Sequence, residues 1–332
     1  MQELDQGILN QLTQAKHAVI LSHRSPDGDS IGSSLAMWHY LKKLGVESQV
    51  ITPDPAPDFL SWLNGFKAMI NGEQHTQLAQ EKIKAADLIF CLDFNSPGRI
   101  AQLEPFLEEN KSALKINIDH HQEPLDFCKL QLVDTSASST AELVYQFVER
   151  LSGIDLIDLP AAEAIYTGIL TDTGSFRFAS TSSKTHQIVS KLIEKGVKPE
   201  QVHSRVYDSY SAERLRLLGY ALNEGLKLYR DQQLAIIALD QKLLAQFNFK
   251  RGDTEGLVNY PLSIKSVKVS ILLTEKEGKI RMSFRSKADL AVNEFARDHF
   301  DGGGHINAAG GIYHGGMPEA LAKLESLIDD LF

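Results

Sequence analysis

The sequence predicts an α/β protein. It has an N-terminal, mainly parallel five-stranded sheet with flanking helices over residues 1–182, a helical connector over 183–228, and a smaller α/β domain with a mixed sheet over 229–332. Three observations carry this. Short apolar runs alternate with helix-period segments through the first half, the pattern of a parallel sheet. Helical patterns then follow one another without the Gly, Ser or Pro richness of a flexible linker. Strand-like runs resume after residue 231, and 332 residues are enough for two separate cores.

Taken in order, MQELDQGILNQLTQAK places Leu4, Ile8 and Leu12 at four-residue spacing and predicts an amphipathic helix. This stretch lacks the basic flank and apolar core of a signal peptide, and no apolar run is long enough to span a bilayer. A cytoplasmic protein with no membrane segment is therefore expected. In AVILSHRSPDGDSIGSS (18–34), Ala18 to Leu21 read as a buried strand, and SLAMWHYLKKLG reads as a helix with a Ser- and Gly-rich start. ESQVITP (47–53), ADLIFCLDF (86–94), SALKINIDHH (112–121) and LQLVDT (130–135) predict four further strands. PDPAPDF between the second and third is an irregular loop. Helices are expected at about 139–152 and 159–172, the second ending at Asp172 just before TGSFRF.

THQIVSKLIEKG, PEQVHSRVYD and SAERLRLLGYALNEGLKL read as consecutive helices with no strand pattern, Gly196 and Pro199 marking one break. QQLAIIAL, VKVSILLTE and KIRMSFRSK then read as strands, with a turn at EKEG between the last two. AVNEFARDHF (291–300) and MPEALAKLESLIDDLF are helical.

A hydrophobic content of 43% and a charged content of 23% fit a water-soluble globular chain. Cys91 and Cys128 form no close pair in the sequence and are read as packing residues. The net charge of −9 argues against a grip on long nucleic acid. The charge is uneven: residues 1–228 carry 21 basic and 29 acidic residues, whereas residues 265–287 carry seven basic and two acidic. An acidic part able to hold cations and a locally basic strand region suit a small anionic substrate; a plain solvated surface would look the same.

The chemistry-bearing residues gather at predicted strand ends. His23, Asp27 and Asp29 follow the first strand, Asp93 ends the third, and Asp119, His120 and His121 end the fourth. Asp172 adds to them from a helix end. Each alone is an ordinary cap or turn residue. Together they would sit where open α/β sheets place their sites. Imidazoles with hard carboxylates suit Mn²⁺, Mg²⁺ or Zn²⁺. Two such ions roughly 3.5–4 Å apart can clamp both oxygens of an in-line displacement at phosphorus.

HRSPDGDSIGSS, LDFNSPGR, IDHH and TDTGSFRF stand in the order and rough spacing of the four motifs of the DHH phosphoesterase family. DGGGHINAAGG (301–311) resembles the signature of the DHH-associated domain. The resemblance covers nearly the whole chain, and is nearest the nanoRNase/pAp phosphatase subgroup of the NrnA type. It implies that His23 and Asp27 hold one ion, that Asp29, His120 and Asp172 hold the second, and that Asp93 bridges them. His121 would lie beside the cluster, against the phosphate or leaving oxygen, so that His121, Asp93 and His120 form the catalytic group. Asp119 would orient its loop, and Asp134 is left to turns. Two divalent ions are implied, Mn²⁺ foremost, with Mg²⁺ or Co²⁺ as alternatives.

In the second domain, Gly302, Gly303 and Gly304 allow backbone to approach a ligand or make a tight turn, and His305 adds a donor. Arg281, Arg285 and Lys287 share one face of a predicted strand. The resemblance favours Arg285 and His305 as phosphate contacts, with Gly303, Gly304, Arg281 and Arg177 as further substrate-binding candidates. The implied substrates are short single-stranded RNA, linear dinucleotides such as pApA, and pAp; a homodimer is compatible with this reading. Alternatives are an inorganic pyrophosphatase or exopolyphosphatase, a RecJ-like single-strand exonuclease, and a nucleotide-binding sensor without turnover.

Overall fold

The computed structural model describes residues 2–250, 252–276 and 278–332, with the backbone alone for residues 2–4. The Leu4 side chain and Glu277 of the EKEG turn lie outside the described residues. The chain divides into two compact units, one ending at Ser209 and the other beginning at Tyr210.

The first unit runs α1 (Gln2–Gln14), β1 (His17–Leu21), α2 (Gly28–Lys43), β2 (Glu47–Thr52), β3 (Ile70–Asn71), α3 (Thr76–Ala85), β4 (Leu88–Leu92), α4 (Glu104–Glu109), β5 (Leu114–Asp119), β6 (Leu130–Val133), α5 (Thr140–Ser152), α6 (Leu159–Asp172), α7 (Ser183–Glu194) and α8 (Pro199–Tyr207). Its sheet has the order β3-β2-β1-β4-β5-β6 with every neighbouring pair parallel. The sheet has six strands where five were expected. The sixth, β3, is two residues long and pairs only through Ile51–Ile70 and Thr52–Asn71, too short to leave a periodic signal.

Strands buried on both faces read as continuous apolar runs, and the alternation within them decides what each residue touches. Ile20, Phe90 and Ile118 pack on one side with Leu35, Tyr40, Val144 and Ile165 from α2, α5 and α6. Val19, Leu21, Ile89 and Cys91 pack on the other with Ala79, Ile83 and Leu103. Cys91 and Cys128 are both buried and neither is in a disulfide, in line with a packing role.

Gly32 of α2 and Gly168 of α6 let two helices cross with their backbones nearly touching. A Cβ at Gly32 would lie 2.5 Å from the Ala164 carbonyl oxygen and 2.9 Å from the Gly168 nitrogen, and one at Gly168 would lie 2.8 Å from Asp29 Oδ1 of α2. This crossing positions the first turn of α2 and the last turn of α6 relative to each other.

The second unit runs α9 (Ala212–Asn223), β7 (Leu226–Tyr229), β8 (Leu234–Leu239), α10 (Gln241–Gln246), β9 (Val269–Lys276), β10 (Lys279–Ser286), α11 (Val292–His299), β11 (Gly303–His305), β12 (Ala308–His314) and α12 (Met317–Ser326). The order is β11-β12-β10-β9-β8-β7, with β8 and β9 parallel and the remaining pairs antiparallel, a mixed sheet as expected. One expectation needs correction, and one stretch forms strands that the sequence does not predict. Leu226–Tyr229 is a strand where the sequence reads as the tail of a helix, because hairpin pairing with β8 overrides local propensity. The glycine-rich stretch after Asp301 forms β11 and β12, because β12 pairs with β10 and β11 pairs in turn with β12, which supplies the order that their own residues do not.

Ile280, Met282 and Phe284 pack on one face with Phe295, Phe300 and Leu324. Ile237, Leu239 and Leu272 pack on the other with Leu217, Leu244 and Val258. Among the described residues, this second layer draws nothing from β10, β11 or β12. No described helix is long and apolar enough to cross a membrane.

The crossing yields a test whose sign is informative. Gly→Ala inside a helix ordinarily stabilises by roughly 0.5–1 kcal/mol. Gly32→Ala should instead destabilise, because overpacking costs about 1–3 kcal/mol. Urea unfolding is the measurement, and a variant more stable than the parent would remove the close approach as the reason for Gly32.

Candidate metal centre

Between β1 and β4 the strand order reverses, so the loops leaving their carboxyl ends diverge and open a crevice. His23 lies two residues past the end of β1 and Asp93 immediately follows β4. Asp93 is in the left-handed region at φ 66°, a conformation that Asp tolerates better than most residues.

Three groups of three ligand atoms form at this crevice; one is Asp93, Asp119 and His121, and the other two converge on the loop ends. His23, Asp27 and Asp93 make one, and Asp29, His120 and Asp172 make the other, with all atoms in each group within 4.8 Å of one another. Asp93 faces both. Its Oδ2 is 3.3 Å from His23 Nε2, and its Oδ1 is 3.6 Å from His120 Nε2. His120 Nε2 also lies 3.7 Å from Asp29 Oδ2 and 3.6 Å from Asp172 Oδ2.

Local hydrogen bonds aim each side chain. His23 Nδ1 lies 2.7 Å from the Arg24 carbonyl oxygen, and His120 Nδ1 lies 3.3 Å from that of Ala137. A carbonyl can only accept, so each ring carries its proton on Nδ1 and turns Nε2 toward the carboxylates. In a neutral ring Nε2 is an acceptor facing acceptors. Such a set is stable with a proton or a cation between its members, and the hard mixed donors suit a divalent ion. Asp27 caps α2 by accepting from the Asp29 and Ser30 amides through Oδ1, at 3.1 and 3.0 Å. Its Oδ2 lies toward His23 Nε2, at 3.9 Å.

The charges work on one another. Burial pushes Asp29 well above the usual carboxylate range, with Asp93 and Asp172 adding to the shift. Burial likewise pushes Asp172 up to about 6, although a third of its side chain, 34%, remains accessible. Burial alone would raise Asp93, but the His23 hydrogen bond and the His121, His23 and His120 rings hold it below its ordinary value. Burial alone would lower His23 and His120. The Asp93 hydrogen bond and the Asp27 charge raise His23, against an opposing effect of Arg99, while Asp172 and Asp93 raise His120.

Asp119 is fully buried, and its Oδ1 lies 2.7 Å from His121 Nδ1 and accepts from the His121 amide at 3.2 Å. It thereby fixes the tautomer and direction of the His121 ring. Asp134 accepts from the Ser136 amide and hydroxyl, a turn role away from the centre.

The sequence reading passed over Thr140. Its amide donates to Asp29 Oδ2 at 2.6 Å, and its hydroxyl donates to Asp93 Oδ1 at 2.9 Å. The Ala141 amide donates to Asp29 Oδ1 at 2.8 Å, so Asp29 caps the N-terminus of α5 from another helix. Ser-Ser-Thr before an apolar helix reads as an ordinary start; only the fold reveals its partners.

In the second unit, the pairing sets Arg285 and His305 opposite the same residue, Ala308 of β12, from either side. Directly opposed residues share a face, so both side chains stand on the side that the α9–α10 layer leaves uncovered over β10–β12. Arg281 is on the same face of β10, two positions further along the alternation. Gly304 has a structural reason, since a Cβ there would meet the Ala308 carbonyl oxygen at 2.5 Å, whereas one at Gly303 would meet nothing. Arg177 follows the last turn of α6, its Nε donating to the Gly174 carbonyl at 2.8 Å.

A doubly wound parallel sheet that holds two His/Asp groups at its switch point defines a hydrolase of the metal-dependent phosphoesterase class. The family comparison is specific. The DHH family, N-terminal domain, matches residues 17–169, and the DHHA1 domain matches residues 231–332. The chain is 32% identical over 301 residues to the bifunctional oligoribonuclease and PAP phosphatase NrnA of Thermus thermophilus, covering 89% of this chain and 84% of that one. It is 30% identical to the probable NrnA of Streptococcus mutans, covering 98% and 96%. A crystal structure of an exopolyphosphatase-related protein from Bacteroides fragilis superposes with a TM-score of 0.93 at 39% identity, covering 99% and 96%. The chain belongs to the DHH phosphoesterase family.

Two outcomes are expected. Thr140→Val should lower divalent-ion affinity by about 10–100-fold, the usual effect of losing a partner that orients a ligand, while Thr140→Ser should stay near the parent. Calorimetric Mn²⁺ titration reads both. The second outcome is a pH dependence. A raised carboxylate pKa means that the folded chain holds its proton more tightly than the unfolded chain. In the ion-free protein, the stability from that proton is therefore present at low pH and lost as pH rises toward 6 at Asp172. Cations must displace the proton, and those on the raised His23 and His120 rings, so their affinity should climb with pH. The Mn²⁺-induced rise in Tm should be larger at pH 7.5 than at 5.5; an equal or reversed effect would refute the coupling.

Proposed function

We propose that this chain hydrolyses short oligoribonucleotides and linear dinucleotides such as pApA to mononucleotides, and pAp to AMP and phosphate, with two Mn²⁺ ions as cofactors. The observation that carries the reading is Asp93 standing within reach of both ligand groups. In this reading His23 and Asp27 hold one ion, Asp29, His120 and Asp172 hold the other, and Asp93 is shared. When bound, two divalent ions supply Lewis acidity toward the phosphate oxygens and acidify water. The protein orients the reaction. Asp119 keeps the His121 proton on Nδ1, so Nε2 is the nitrogen that meets the phosphate or the leaving oxygen. Arg285 and His305 bind a second phosphate, Gly303 and Gly304 give backbone amides, and Arg281 and Arg177 are further contacts. The catalytic domain is residues 1–182, the connector 183–228 and the substrate-holding domain 229–332, in the cytoplasm, where RNA fragments arise.

The names of the relatives support this substrate class, and so does charge. One locally basic stretch, within a chain of net charge −9, can hold one or a few phosphates but gives no long cationic track. Dinucleotides to roughly pentanucleotides should therefore be cleaved far faster than a 20-mer. The test is single-turnover cleavage of labelled RNA of increasing length at fixed salt with Mn²⁺, run beside pAp, pApA, cyclic-di-AMP and pyrophosphate. Rates that stay flat or rise with length would move the assignment to a RecJ-like exonuclease. Hydrolysis of pyrophosphate with none of pApA would move it to a pyrophosphatase.

A further inference from the structure

We infer that Arg99 is a substrate-binding residue of the metal centre, its guanidinium receiving the non-bridging oxygens of the phosphate that reacts there. This rests on the phosphoesterase reading but concerns a residue in neither ligand group.

The geometry begins with the backbone. Arg99 lies in the short 3-10 turn that follows the Asp93 loop, and its carbonyl accepts from the Arg24 amide at 2.8 Å. The Arg24 carbonyl in turn receives His23 Nδ1 at 2.7 Å. Two consecutive hydrogen bonds thus tie Arg99 to the imidazole of the first ligand group.

The second observation is what Arg99 lacks. Its Nε is shut off from solvent and has no hydrogen-bond partner. Among the described residues no carboxylate pairs with it within 4.0 Å, although Asp27 and Asp93 belong to the neighbouring ligand group. Arginine cannot shed its proton, so a buried, unmatched donor on a permanent cation is costly unless an anion completes it. If the residue served only to balance the carboxylates, it would pair with one of them.

Charge accounting gives the missing partner its sign. Two divalent ions would just balance Asp27, Asp29, Asp93 and Asp172, and Asp119, hydrogen-bonded to His121, adds one further negative charge. A filled centre would then have no net positive charge of its own to draw in a phosphate. Arg99 brings a fixed positive charge to that centre, in the planar, forked form that matches phosphate oxygens. It would also meet the charge that grows on those oxygens as the bond to the leaving group breaks.

The test compares Arg99→Met and Arg99→Lys with the parent protein in Mn²⁺. Three readouts are taken: bound metal per chain, the inhibition constant of inorganic phosphate, and kcat/KM on pApA. Arg99→Met should keep both ions, bind phosphate at least about tenfold more weakly, and lose about 10²–10³-fold in kcat/KM, the usual effect of removing one transition-state donor. Arg99→Lys should recover only part, since an ammonium keeps the charge but not the fork. Normal phosphate inhibition in Arg99→Met would overturn the inference. So would loss of metal in both variants, because Arg99 would then be holding the Asp93 loop. If the parent protein cleaves pyrophosphate but not pApA, the nucleotide reading fails on its own, and phosphate inhibition still decides Arg99.

Discussion

Like charge held at close quarters is the constraint from which the first unit follows. Asp27 and Asp93 share one ligand group, and Asp29 and Asp172 share the other, with ligand atoms less than 4.8 Å apart in each. At such distances each carboxylate pair repels by on the order of 4 kcal/mol at an effective dielectric near 20. Undirected side chains would swing apart into water. They are prevented by fixed dipoles and close packing. The amides of Thr140 and Ala141 hold both oxygens of Asp29, the start of α2 holds Asp27, and the Gly32–Gly168 crossing keeps α2 against α6. Asp93 adds a strained backbone to the same end, since φ 66° turns its carboxylate into the crevice instead of along the strand.

The two units divide the chemistry by sign as well as by fold. In the first, acidic side chains project from loops at the end of a sheet whose faces are both packed. In the second, Arg281, Arg285 and His305 project from the face of a sheet, over strands that one helical layer does not reach. A cation centre needs ligands converging from several directions, which strand-end loops provide. An anion-binding surface needs donors side by side, which antiparallel register provides.

Much of this was legible in the sequence because the ligands stand at the ends of strongly apolar runs. ILSH, CLD and INIDHH mark strand, strand end and polar loop in a few residues, and the structure brings His23, Asp93 and His120 together from those three places. The residues that went unread have partners far away in the chain. Thr140 meets Asp93 across 47 positions and Asp29 across 111, and nothing local distinguishes it from any helix start. Strand β3 is too short to show a period. Strands β11 and β12 are rich in glycine and alanine, residues with little strand preference of their own; β12 owes its form to β10, and β11 to β12.

The position of α6 bears on how the protein is made. Asp172, the last residue of that helix, is also the last of the six candidate ligands to be synthesised, and the helix packs closely on α2, built some 130 residues earlier by their numbering. A parallel sheet closes through distant pairings and forms slowly. Until residue 172 has left the ribosome, the emerging chain carries an incomplete set of acidic groups, and the Asp29, His120 and Asp172 group lacks one of its three members. In the proposed reading cation capture is therefore a late event, one that waits on α6 and cannot be mimicked by a fragment that stops short of it.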